Sequence, residues 1–111
     1  LYTTDAVLGK STTSYTTDNQ VGASGQYSAG GSALTNVGTS MATNTAIVDF
    51  ADLSFTGVTL TAKGALIYND TASGDPAVCV LNFGGNKTAT SGTFTVQFPA
   101  FTTAAAIIRI A

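Results

Sequence analysis

Residues Val58 to Asn69, VTLTAKGALIYN, carry the strongest pattern in the chain. Val58, Leu60, Ala62, Leu66 and Tyr68 fall on even positions with Gly64 between them, whereas Thr59, Thr61, Lys63 and Asn69 fall on odd ones. That is the period of a strand with one face in the core and the other in water. A helix would instead set Leu60 beside Lys63 and Gly64, and both Thr59 and Gly64 lower helix propensity. The spacing therefore predicts a strand over 58–68, with Gly64 marking a bulge or a bend where it passes from one sheet to another.

Composition agrees with a β domain. The 111 residues suffice for one domain that buries roughly two thirds of its unfolded surface. Charged residues make up 9% of the chain against a usual level of about 25%, and Glu and His are absent. The polar residues are mostly Thr, Ser, Asn and Gly, which favour pleated, half-exposed strands and tight connections over a helical bundle.

The same numbers exclude several roles. A net charge of −2, with Lys10, Lys63, Lys87 and Arg109 scattered, leaves no basic footprint for nucleic acid. No apolar run approaches the roughly 20 residues of a membrane-spanning helix, and no charged-then-apolar leader is present. The chain opens on Leu1 where an initiating Met would stand, which points to a trimmed or processed chain. The single Cys79 cannot form an internal disulfide and sits in an apolar run, so it is expected to be a buried, inert thiol.

Outward from the organising strand, the N-terminal side divides in two. Residues 1–45 scatter Val7, Leu8, Val21, Leu34 and Val37 among Gly, Ser, Thr and Asn without a lasting period. Short strands are expected at Ala6–Leu8 and Leu34–Val37, inside an extended, loop-rich arm that is ordered on a neighbouring surface or partly disordered. The alternative, that this segment wraps its own domain, stays open. From Thr45 the pattern tightens, with a strand at 46–50 and a short one at 53–56 ending at Gly57. TAIVDF sets Ala46, Val48 and Phe50 on one face and Ile47 and Asp49 on the other.

On the C-terminal side, NDTASGDP at 69–76 reads as an exposed loop, and AVCVLNF at 77–83 as a central strand covered on both faces. GGNKTATSG at 84–92 reads as a hairpin loop before a strand TFTVQFP, with Phe94, Val96 and Phe98 inward. A last strand, AAIIRI at 105–110, shows Ile107 outward as part of a contact surface. Five or six short strands at regular spacing predict an all-β, single-domain antiparallel β-sandwich or jelly roll, its core at 46–111.

Chemistry-bearing constellations are scarce. General acid and base work needs paired carboxylates or His, and the carboxylates are Asp5, Asp18, Asp49, Asp52, Asp70 and Asp75. Asp70 and Asp75 bracket a loop without calcium-loop spacing and read as turn residues, while Asp49 and Asp52 read as solvated or capping. One Cys and no His leave no zinc site, and FGGNK lacks phosphate-loop spacing. Asn69-Asp-Thr71 and Asn86-Lys-Thr88 are glycosylation sequons, meaningful in a eukaryotic secreted protein. Without Trp, and with most Phe inward, the aromatics read as core in preference to a sugar-stacking platform. No catalytic, cofactor-binding or metal-binding residue is expected.

GALIYNDTASGDPAVCVLNFGGNKTATSGTFTVQFP together with the final AIIRI resembles small structural proteins of tailed-bacteriophage virions, the capsid decoration or cement proteins. The resemblance spans Ala46 to Ile110 and is one of texture and strand order, without a functional residue to carry over. It implies a non-enzymatic virion protein on the outer capsid surface, bridging major capsid subunits and assembling with itself as a trimer or dimer. Alternatives from the residues are a tail or fibre component and a carbohydrate-binding or adhesion sandwich from a bacterial surface protein.

Overall fold

In the computed structural model, which describes residues 1–110, the patterned stretch is the middle of a far longer strand. Five strands follow in chain order: β1 (Asn36–Ala42), β2 (Thr45–Phe50), β3 (Leu53–Tyr68), β4 (Ala77–Val96) and β5 (Ile108–Ile110). The protein is all-β, with no helix among the described residues, and has two antiparallel sheets. One is the two-stranded β3–β4 ribbon; the other has the order β1–β2–β5.

Length forces the ribbon to bend. At about 3.3 Å per residue, the 16 residues of β3 and 20 of β4 would run about 50 and 65 Å if straight, yet the longest dimension of the protein is 44 Å. Register shifts supply the bends, at Phe55/Val58, Val58/Leu60, Ala62/Gly64 and Ile67/Tyr68 of β3. Gly57, Gly84 and Ser91, with φ of 63°, 81° and 45°, adopt the left-handed backbone within these irregular stretches. Gly64 thus lies at a bulge, as its place in the pattern predicts.

The ribbon corrects two sequence expectations. Residues 53–56 and 58–68 are a single strand interrupted by a bulge. Segment 84–92 is no hairpin loop: Lys87, Thr88 and Ala89 pair with Ala62, Thr61 and Leu60, so β4 continues through it, with residues 83–86 and then 90–91 bulging out between paired positions. Ala89 is buried between exposed Thr88 and Thr90, a short period-two pattern that the flanking glycines mask.

Alternation holds where only one face is covered. Val58, Leu60 and Ala62 are buried while Thr59, Thr61 and Lys63 are exposed. Past Gly64 both faces close, and Ala65, Leu66 and Ile67 are all buried. The core gathers Phe55, Val58, Leu60, Phe94, Val96 and Phe98 with Val21 and Tyr27 from the N-terminal segment.

Residues 1–35 lie along this ribbon of their own chain. Tyr2 bridges to Gly64, its N–H donating to the Gly64 carbonyl at 2.9 Å and its carbonyl accepting from Lys63 at 2.9 Å. A turn at Ser24–Tyr27 docks on the β3 bulge: the Gln26 N–H reaches the Thr56 carbonyl at 3.1 Å, and Ser24 Oγ accepts from Thr59 N–H at 2.9 Å. Gly25, with φ of 52°, makes this approach possible, since a Cβ there would stand 2.1 Å from the Gly57 carbonyl oxygen. The Ser14–Pro76 bridge and the Ala77 N–H to Thr13 carbonyl bond secure the far end. No strand forms at Ala6–Leu8, and β1 starts at Asn36, beyond most of the expected Leu34–Val37 strand.

The smaller sheet and its C-terminal end depart from two expectations, a solvated or capping Asp49 and an outward Ile107. Ile47 and Asp49 face inward and are buried, while Ala46 is exposed. At the C-terminus the outward side chain is Ile110, and Ile107 packs partly buried against the core. The Phe50 ring of β2 lies 5.7 Å from that of Phe98, which follows just beyond the end of β4.

Candidate interaction surface

The solvent face of the β3–β4 ribbon is a neutral plane of hydroxyl groups. Because β3 and β4 are antiparallel, outward Thr and Ser from each strand meet as cross-strand pairs in the regular stretches between the register shifts. Ser54 Oγ lies 2.8 Å from Thr95 Oγ1, Thr61 Oγ1 lies 2.8 Å from Thr88 Oγ1, and Thr59 Oγ1 accepts the Ser91 N–H at 2.9 Å. These pairs lock the rotamers of an exposed surface whose flanking cations are Lys63 and Lys87. Such a face offers hydroxyl donors and acceptors to a protein partner at little desolvation cost, compared with a charged surface. Sequence periodicity placed Thr59, Thr61, Thr93 and Thr95 outward; Thr88 was hidden inside the apparent loop.

The four tyrosines surround a cleft of about 690 Å³ on the other side of the ribbon, lined also by Gln20, Leu34, Asn36, Phe50, Asn69 and Asp70. Their hydroxyls are engaged with the N-terminal segment. Tyr15 donates to Gln20 Oε1 at 2.6 Å, Tyr68 to the Gly30 carbonyl at 2.8 Å and Tyr2 to the Thr16 carbonyl, while Tyr27 accepts from the Leu1 nitrogen at 2.9 Å. Tyr15 and Tyr68 stack on each other with centroids 4.6 Å apart, which covers one face of each ring. Burial pushes the Tyr27 hydroxyl up to about 12, and Tyr2 and Tyr68 also upward. The Tyr68–Gly30 bond, with the Tyr15–Tyr68 stack and the Tyr27–Phe55 edge contact, is a clamp that holds residues 1–30 on the ribbon, while the other three hydroxyl bonds brace that segment internally.

The carboxylates are dispersed, and among the described residues no three His, Cys, Asp or Glu side chains gather into a cluster. Asp52 caps backbone, its Oδ1 accepting the Phe98 N–H at 2.7 Å. Asp49, expected to be solvated or capping, is not solvated: it is 1% exposed, its Oδ1 accepts the Phe50 backbone N–H at 2.8 Å, and its Oδ2 is buried without a partner. The cause is the inward turn of the Ile47–Asp49 face. Asp75 takes a left-handed backbone with φ of 46° in the 69–76 connection, and its carbonyl accepts the Tyr15 N–H at 2.9 Å. Cys79 is half-buried against the core, and burial raises its thiol. Both sequon asparagines, Asn69 and Asn86, are exposed.

No protein-family model, curated protein or solved structure matches the chain.

Proposed function

We propose that this protein is a non-enzymatic structural component of a tailed-bacteriophage virion, a capsid decoration or cement protein on the outer shell. The observation that carries the reading is the hydroxyl-lined, nearly uncharged face of the β3–β4 ribbon, with Ser54–Thr95 and Thr61–Thr88 held as cross-strand pairs. A cement protein works by many modest contacts repeated over a lattice, where avidity replaces any single strong anchor. A rigid ribbon with preset hydroxyl rotamers suits that task, because little side-chain entropy is lost on docking. The strand order from Ala46 to Ile110 adds its resemblance to that class of protein.

In this reading the partners are the major capsid protein and further copies of the chain. The two sheets would then be the layers of a β-sandwich, a reading supported by the packing of Phe50 in β2 against Phe98 just beyond β4. Residues 1–45 then serve as the loop-rich segment that shapes one side of the docking body.

The test is the copy number of this chain relative to the major capsid protein in purified virions of the phage that encodes it, by quantitative mass spectrometry. On the order of hundreds of copies, at a simple ratio to the shell protein, is the expected result for a lattice-bound protein. A few copies to a few dozen would replace the reading with a tail or fibre component, and absence from the virion would overturn it.

A further inference from the structure

We infer that the outer face of the β1–β2–β5 sheet is a self-association surface, which stacks on the same face of a second copy of this chain. The register defines the face. Met41 pairs with Ala46 and Ala46 with Ile110 in one row; Thr39 pairs with Val48 and Val48 with Ile108 in the next. Met41 is 72% exposed and Ile110 69%, and both lie in the same row of the sheet. An apolar sheet face left in water is a docking surface or an aggregation hazard.

Charge argues for a second copy as the occupant. The only charged residues in the three strands are Asp49 and Arg109. Arg109 is directly opposite Ile47, and Asp49 is two residues along from it, so both belong to the inner face. The outer face carries no charge at all, so two identical faces meet without like-charge repulsion even though the chain is acidic overall.

Area argues the same way. A folded monomer of 11.1 kDa exposes about 5,650 Å² by the usual scaling, whereas this chain exposes 6547 Å². The excess of about 900 Å² matches the roughly 800 Å² that each partner contributes to a standard interface. The radius of gyration is 14.4 Å against about 13 Å for this length, and β1 is exposed along nearly its whole run. Stacking two sheets about 10 Å apart covers the Met41–Ala46–Ile110 row on both copies at once.

This inference names a surface that the capsid reading does not, and its test needs no capsid. Sedimentation equilibrium of the full chain is expected to give twice 11.1 kDa, and Met41→Asp or Ile110→Asp to return it to 11.1 kDa with unchanged far-UV circular dichroism. Val7, the most exposed apolar side chain at 95%, lies outside the sheet, so Val7→Asp is expected to leave the dimer intact. A monomeric wild-type chain overturns the inference, as does a dimer that survives both sheet variants. A closed trimer overturns it too, since face-to-face stacking about a two-fold axis ends at two copies. Because both substituted side chains are already in water in the single chain, either variant folds without the partner; should one fail to, the other decides.

Discussion

Gly64 and the carbonyl of Leu81 are so close that a Cβ on Gly64 would stand 2.6 Å from the Leu81 oxygen. Gly64 pairs with Asn82, the neighbour of Leu81, just where residues 83–86 of β4 bulge away, and Tyr2 pairs with Gly64 from the opposite edge. Backbone on both sides leaves no flexible neighbour to give way. Gly64→Ala is therefore expected to cost about 2 kcal/mol and to lower the melting temperature by roughly 10 °C, as read by calorimetry. An unchanged transition would mean that the two strands separate freely at this point.

The N-terminal segment is expected to be indispensable to the fold. Val21 and Tyr27 sit in the core, and the edge of β3 at Lys63 and Gly64 is bonded by Tyr2. A chain lacking residues 1–35 is expected to lose its cooperative unfolding transition. The milder Tyr27→Ala should cost about 4 kcal/mol in urea denaturation, the scale of a large aromatic removed from a packed site. A truncated chain that melts like the full one would show that the segment merely rests on the ribbon.

Asp49 presents the opposite case, a group whose removal should help. Its Oδ2 is buried without a donor while Oδ1 holds the Phe50 N–H. Asp49→Asn keeps the acceptor and replaces the unpaired oxygen of a charged group by a neutral amide, at nearly equal volume. Stability is expected to rise by about 1 kcal/mol, with the urea m-value unchanged. A marked loss of stability would reveal a partner for Oδ2 in solution.

Alkaline pH should open the tyrosine clamp. The Tyr27 hydroxyl is pushed up to about 12 by burial from a normal value of 10.0, so the folded protein holds this proton more tightly than the unfolded chain does. The stability it contributes is whole below pH 10 and is lost as pH climbs toward 12. Tyr2 and Tyr68, shifted in the same direction by burial, add to that loss. Tyrosinate absorbance at 295 nm is expected to rise together with unfolding as pH passes through this window. In Tyr27→Phe the fall in stability over the window should be shallower; an identical fall would remove Tyr27 from the account.

How far the chain can be read without its structure depends on how many faces of a segment are covered. The period-two runs at 58–62 and 93–96 determine strands whose inward residues, Val58, Leu60, Ala62, Phe94 and Val96, are all buried, and with them the all-β class. The same pattern determines an outward row of Thr. Gly64 signals its bulge because only a residue without a side chain suits so close a backbone approach.

Other features depend on partners distant in sequence. Gly84–Gly85 has the composition of a hairpin turn, yet it is a bulge, because Lys87, Thr88 and Ala89 find Ala62, Thr61 and Leu60 across the ribbon. Local hydrophobicity favours Ala46, Val48 and Phe50 as the inner face of β2, but tertiary packing turns Ile47 and Asp49 inward and leaves a carboxylate oxygen unpaired. Residues 1–35 show no period because backbone bonds to β3 and tyrosine hydroxyls hold them, and neither leaves a repeating hydrophobic signature. Sequence alone determined that 58–62 and 93–96 pleat and which of their residues avoid water. Which edges pair, which way β2 turns and where the N-terminal segment lies were decided only in the tertiary structure, since those choices are made by hydrogen bonds and packing between residues dozens of positions apart.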